Sequence, residues 1–338
     1  MTRKVHYFIL AALIGFLSFW SCQTSDYNEC VYQPDISGHE IQLEVEELHK
    51  KLLNVESKDE LQTFLKTYPI ISAVFLQSRN YPSEEVMVDE LFKRFTNPQI
   101  AVLDGEIDRV FGDLSTLKSE LNSAFSHLRY YYPDVPLPKV QTVATGLMND
   151  LYVSDSLIII GLDYYLGEGA KYRPINMFNY ILRRYASEYI VPSIMLLYGI
   201  SPTFNVTDVS DNTILAEMVS YGKSFYFAKQ MMPCTPDSIM IWYTGEEMAG
   251  VRENAAIIWT HFVENELLFE TNHEVKRKYI EDRPKTYDIG DKAPGRIGTW
   301  LGWQIVQAYM KKQENISLPE LMETKEPQAI FNASKYRP

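Results

Sequence analysis

Leu157-Ile158-Ile159-Ile160-Gly161-Leu162 decides the fold class of this chain. A continuous apolar run this short reads as a buried strand. Val140–Val143 reads as a second strand, just past a boundary marked by Pro133, Pro136 and Pro138. Upstream, Ile41, Leu43 and Val45 alternate with Glu40, Gln42, Glu44 and Glu46, the period of a half-buried strand. Most of the remainder carries helical spacing. Ser57-Lys58-Asp59-Glu60 is a capping box that opens a helix ending before Pro69. Leu114, Leu117, Leu121, Phe125 and Leu128 form one apolar stripe of a helix over 114–131, and further helices are predicted over 83–95 and 98–111. Beyond residue 177 the pattern predicts helices over 177–198, 210–231, 246–270, 273–281 and 295–312. Few strands among many helices make the fold α+β with helices dominant.

The N-terminus has a separate logic. Arg3 and Lys4 precede an apolar run from Tyr7 to Trp20, and small Ser21 stands directly before Cys22. Crossing a bilayer takes roughly 20 apolar residues, so residues 1–21 read as a signal peptide. A run ending in Ser-Cys points to a bacterial lipoprotein, with Cys22 acylated on its thiol and left as the new N-terminus. Phe19 and Trp20 are bulky for such a cleavage site, and an uncleaved anchor helix is the alternative. Both readings tether the chain to a membrane outside the cytoplasm. Residues 22–38 form the tether and 39–338 a single domain, with an N-terminal helical part at 39–132 and a C-terminal part at 139–338. Gln23 carries no retention charge, so the outer membrane, facing the periplasm, is the expected location.

The formal charge is −12, and loss of Arg3 and Lys4 takes it to −14. Such a balance excludes nucleic acid as a partner, because that binding rests on clustered Lys and Arg. It equally opposes a broad basic contact with anionic lipid, leaving the acyl chains as the anchor, at ~0.8 kcal/mol per buried methylene. A composition 46% apolar and 13% aromatic is that of a globular protein. An oxidising compartment permits a Cys30–Cys234 bridge, but spacing says nothing of proximity, and two separate thiols are the expectation.

Catalytic motifs begin and fail. His39-Glu40 and His273-Glu274 start zinc-protease patterns, but Leu43 and Arg277 occupy the second histidine's place. His261 with Glu264 gives the inverted spacing, and Asn265 stands where the closing histidine belongs. Gly222-Lys223-Ser224 looks like the end of a phosphate loop, yet Glu217 replaces its first glycine. No G-x-S-x-G elbow occurs. The most marked local pattern is Ala293–Trp303, APGRIGTWLGW, in which Gly298 and Gly302 lie four apart on one helix face. Close helix packing is the first reading of those glycines. A groove floor for a peptide is the second.

The segment Ile257–Trp303, IIWTHFVENELLFETN…KYIEDRPKTYDIGDKAPGRIGTWLGW, resembles the gliding motility lipoproteins of the GldB type. Cys22, the stretch Ile181–Val191 with its RRYASEYIVP, and the closing IFNASKYRP at Ile330–Pro338 extend the resemblance over the mature chain. It implies an envelope lipoprotein of Bacteroidota, working with the gliding and type IX secretion machinery and partnered by its envelope proteins. That family is in turn distantly similar to zinc metallopeptidases with an HExxH helix. The likeness lays Ser187-Glu188-Tyr189-Ile190-Val191 on the first motif, Tyr221-Gly222-Lys223-Ser224 on the second and Gly295–Gly302 on the third.

Ser187 and Val191 then replace the two histidines, Tyr221 replaces the third ligand, and Glu188 keeps the place of the base. A catalytic zinc keeps three protein ligands plus water. The resemblance therefore implies a degenerate zincin-like fold with no metal, no cofactor and no catalytic residue. Its cleft would be formed by Ser187, Glu188, Val191, Tyr221, Gly295, Arg296, Gly298 and Gly302. A free edge at Leu157–Leu162 would let that cleft grip an extended peptide by strand addition. Two other readings stand beside it: a hydrolase using Glu188, and a surface glycan- or nutrient-binding lipoprotein with Trp242, Trp259, Trp300 and Trp303 as platforms.

Overall fold

Four short strands make one mixed sheet in the order β1-β2-β4-β3: β1 Val45–Glu47, β2 Lys139–Val143, β3 Leu151–Val153 and β4 Leu157–Gly161. The computed structural model describes Cys30 and residues 34–338. Cys22, the signal peptide and most of the tether lie outside the described residues. β1 pairs parallel with β2, β2 parallel with β4, and β3 antiparallel with β4, placing Val45 against Val140 and Val140 against Ile158. Ile158, Ile159 and Ile160 are fully buried, as the apolar run predicts. β4 is flanked by β2 and β3 and presents no free edge, which corrects the expectation of strand addition there. At Gly161, the last strand residue, a Cβ would sit 2.3 Å from the Asn149 carbonyl oxygen, so the position has no room for a side chain.

The first strand is shorter than its alternation suggests. The amides of Ile41 and Leu43 donate to Ser126 Oγ and Asn122 Oδ1, at 3.1 and 2.9 Å. Helix side chains therefore stand where ladder carbonyls were expected. Five helices then carry the chain from β1 to β2: α1 His49–Leu53, α2 Lys58–Thr67, α3 Glu84–Phe95, α4 Gln99–Phe111 and α5 Ser115–Tyr131. Ser57 accepts from the Glu60 amide at 3.2 Å, while the Glu60 carboxylate takes the Glu56 amide and leaves the box half closed.

Downstream, the predicted helix over 177–198 breaks into α6 Asn179–Leu182, a 3-10 turn at Ser187–Tyr189, and α7 Ile190–Ile200. Between them a turn at Arg183 and Arg184 leads to extended backbone at Ala186, with the Gly167 amide donating to the Tyr185 carbonyl at 2.9 Å and a bridge joining Leu166 to Ala186. α8 Ile214–Met231 and α9 Asp237–Ile241 follow. The predicted helix over 246–270 also divides, into α10 Gly245–Glu253, α11 Ala255–Glu264 and a 3-10 turn at Leu267–Phe269. Asn254 and Asn265 mark the breaks: each side-chain amide donates to the carbonyl four residues back, at 2.8 Å. Such local bonds compete with helix propagation. The chain closes with α12 His273–Ile280, α13 Ile297–Lys312, α14 Leu318–Glu323 and α15 Pro327–Ser334.

α13 and α8 form the central pair. A Cβ on Gly302 would lie 1.8 Å from the Met218 carbonyl oxygen, and one on Gly222 2.4 Å from the Gly302 carbonyl oxygen. The two backbones touch, and the glycines lie in packed interior. Trp300 and Trp303 are each 1% exposed, with Trp303 packed on Phe225 at 5.4 Å between ring centroids. Neither indole can serve as a surface glycan platform, which removes two of the four tryptophans from that reading. Trp259 is also engaged, against Phe331 and Tyr336.

Cys30 and Cys234 are joined by a disulfide across a sequence separation of 204. Two separate thiols were expected, and the bridge corrects that expectation. The fold returns the loop after α8 to the N-terminal segment, a proximity that spacing does not encode.

Asp163, just after β4, is fully buried, and its Oδ2 accepts the amides of Thr145 and Leu147 at 3.0 and 2.7 Å. Burial outweighs those bonds and pushes its carboxyl up to about 6. A raised acid holds its proton in the folded state over a range where the unfolded chain has lost it. Stability from this group is therefore greatest at low pH and is lost as pH rises from about 4 to about 6. Chemical denaturation should find the stability of wild type relative to Asp163→Asn higher at pH 4 than at pH 7, by up to about 3 kcal/mol. A gap that does not move with pH would contradict this.

Candidate functional site

The stretch Arg183–Val191 positions two polar constellations. Arg183 and Arg184 follow α6, and their guanidinium groups meet the loops after α9 and α12 and the entry to α13. Trp242 and Arg296 are both left-handed, with φ of 63° and 59°. For residues bearing a side chain this costs roughly 1–2 kcal/mol each, so surrounding contacts must hold them. They do: Arg184 and Arg296 lie over the Trp242 ring, each 4.5 Å from its centroid.

Arg184 binds Asp282 through both terminal nitrogens, at 2.9 and 2.7 Å, a fork geometry that fixes direction as well as distance. Arg183 donates to the Trp242 carbonyl at 2.9 Å and to Glu247 at 2.8 Å, and Lys285 reaches Glu247 at 3.3 Å. Tyr243 donates to the Gly295 carbonyl at 2.8 Å from full burial in the core. Gly295 itself has no room for a Cβ, which would fall 1.9 Å from the Arg283 carbonyl oxygen.

Burial pulls the Arg296 guanidinium below its ordinary pKa, against the pull of Asp282. Burial would raise Asp282, but the Arg184 bonds and the Arg296 charge hold it below the ordinary carboxylate range. Arg183, Arg184, Arg296 and Lys285 face Asp282 and Glu247, so positive charge is in excess here. The arrangement locks the starts of α7 and α13 together. Its terminal guanidinium nitrogens meet its own acceptors, while Arg183 Nε, Arg184 Nε and Trp242 Nε1 are buried without a hydrogen-bond partner among the described residues.

The second constellation lies on the other side of the Ser187–Tyr189 turn. Glu188 lines a cleft of about 620 Å³ together with Glu120 and His127 of α5 and with Met231, Met232 and Cys234. Burial first, and the Glu188 charge second, push the Glu120 carboxyl above its ordinary value. His127 is 5% exposed, and its Nδ1 lies 2.9 Å from the Ser123 carbonyl oxygen.

Of the eight cleft positions expected from the sequence, Glu188 lines the cleft just described and the other seven do not. Tyr221 and Arg296 are near enough to interact electrically. Ser187 and Glu188 sit in the turn before α7, and Val191 is fully buried. A Cβ on Gly298 would lie 3.1 Å from the Tyr279 carbonyl oxygen, and those on Gly295 and Gly302 would run into the backbones of Arg283 and Met218. His261 Nε2 is 3.0 Å from the Tyr279 hydroxyl. Among the described residues no three His, Cys, Asp or Glu side chains are placed to hold a metal ion.

Sequence reading missed Trp242 as the filling between two arginines, and it met Lys223 only within the Gly222-Lys223-Ser224 motif, not as a buried cation. That lysine is 2% exposed and donates to the Val206 and Thr324 carbonyls, both at 2.8 Å. Burial lowers its pKa to about 8.

The arginine cluster is assembled from the segments that carry the resemblance: Arg183 and Arg184, Asp282, and Arg296. The family profile described as gliding motility protein GldB matches residues 29–338. The chain belongs to the GldB family. No curated protein and no solved structure matches it, and the implied kinship of the GldB fold to zinc peptidases finds no support among known structures. No helix of the described residues is long and apolar enough to cross a membrane.

Proposed function

We propose that this GldB-family chain is a non-catalytic, lipid-anchored envelope protein that supports gliding motility and type IX secretion through protein contacts. The observation that carries the compartment is the Cys30–Cys234 bridge, since disulfides persist in oxidising compartments outside the cytoplasm. Family membership supplies the motility role. Cys22 after its apolar run supplies the anchor, with the outer membrane, periplasmic face, as the site of attachment. The catalytic motifs that begin at His39, His261 and His273 and stay incomplete support binding over cutting.

In a gliding host, deletion should abolish gliding and lower secretion, and wild type supplied in trans should restore both. Cys22→Ala should lose incorporation of labelled palmitate. Retained labelling would move the anchor elsewhere, and a deletion strain that glides normally would overturn the role. Purified protein should hold no stoichiometric zinc and cleave no peptide from a mixed library. The rival hydrolase draws on one observation, that Glu120, Glu188 and His127 share a cleft, and the same library assay decides it.

A further inference from the structure

Glu120 and Glu188 face one cleft, and among the described residues neither carboxylate has an ion pair or a hydrogen bond. Like charges left unneutralised across a shared cavity raise the energy of the empty state. His127 adds a third polar group. A carbonyl only accepts, so Nδ1 donates to Ser123 and Nε2 is the ring's second polar site. That nitrogen has no partner among the described residues, although the side chain is 95% buried by its 5% exposure. The polar side of the cleft therefore carries two unpaired carboxylates and no lysine or arginine to neutralise them, with Ser119, Ser123 and Thr235 as its uncharged polar residues. Its other side is apolar, formed by Met231, Met232 and the Cys234 end of the disulfide. A volume of about 620 Å³ is that of a small-molecule or side-chain pocket. The acceptors are too dispersed for three of them to share one metal ion.

We infer that this cleft binds an organic cation, a primary ammonium or guanidinium on an apolar stem, with the charge between Glu120 and Glu188 and the stem against Met231 and Met232. Several N–H donors on one head can meet acceptors that a single ion cannot span. The thioethers accommodate stems of differing shape. A lysine or arginine side chain of a peptide segment carries this chemistry, and so does a free diamine. The site stands apart from the motility role, since it rests on the cleft alone.

Isothermal titration of the full mature protein in detergent tests it, with n-butylammonium and n-butylguanidinium as probes and n-butanol and butyrate as controls. Either cation should bind saturably. Affinity should fall at least tenfold in Glu188→Gln and become undetectable in the Glu120→Gln/Glu188→Gln double variant, whose melting curves establish that it is folded. Glu188 is exposed, so its single variant remains informative if the double variant fails to fold. Cadaverine and acetyl-Ala-Lys-Ala-amide identify the source: tighter binding of the peptide assigns a protein segment, and tighter binding of the diamine assigns a free amine. No saturable cation binding, equal binding of n-butanol, binding unchanged in folded variants, or displacement of the amine by stoichiometric zinc would overturn the inference.

Discussion

Gly302→Ala is expected to destabilise the protein by about 2 kcal/mol, although alanine is the better helix former by about 1 kcal/mol. The added Cβ would lie 1.8 Å from the Met218 carbonyl oxygen, and 2.8 Å from its Cα. A side chain could rotate out of the way; a helix backbone cannot. α8 and α13 would have to separate, and overpacking of this kind costs about 1–3 kcal/mol, sometimes more. Gly302→Val should cost more still and lower the folded yield. Gly105 is the control. It lies in α4 with nothing within 4 Å of its ideal Cβ, so Gly105→Ala should gain up to about 1 kcal/mol. Urea denaturation of the three variants settles the matter. Equal effects at positions 105 and 302 would refute the contact between α8 and α13.

Removing the disulfide, as Cys30→Ser/Cys234→Ser or by reduction, is expected to cost about 2–5 kcal/mol. The bridge closes a loop with a sequence separation of 204, and chain-entropy arguments place a loop of that length near the top of the range. The melting temperature of wild type should drop on adding dithiothreitol to meet that of the double serine variant. A reduced wild type that melts as the oxidised form does would remove the bridge from any stabilising role. Unequal behaviour of the two single serine variants would instead show that one thiol has a separate contact.

The sheet centre was legible because Leu157–Gly161 is an uninterrupted apolar run, and its residues are buried on both faces. Its position in the sheet was not legible, since that depends on β3 pairing beyond it. Long amphipathic helices such as α3 to α5 emerged close to their predicted bounds, as stripes at helical spacing recover them. The breaks at Asn254 and Asn265 were visible only as residue types whose side chains compete for helix carbonyls. Nothing in their spacing demanded a break.

The functional residues divide the same way. Gly298 and Gly302 stood out four apart, yet the partner, Gly222, lies 80 positions upstream on another helix. Arg296 was visible within its motif, while Arg184 and Trp242 joined it only through the left-handed turn at Trp242. Glu188 was singled out as the remnant of a zinc motif. The structure gives it different company, a second carboxylate and a histidine from a helix some sixty residues earlier in the chain.

The covalent link at Cys234 also sets a leash. Eight peptide steps separate position 22 from Cys30, and at ~3.5 Å apiece they reach about 28 Å when drawn taut. A lipid on Cys22, as proposed, would keep the Cys234 corner within that radius, and the mouth lined by Cys234 with it. Severing the bond would lengthen that leash only by the few residues up to Ile36, which lines the same mouth.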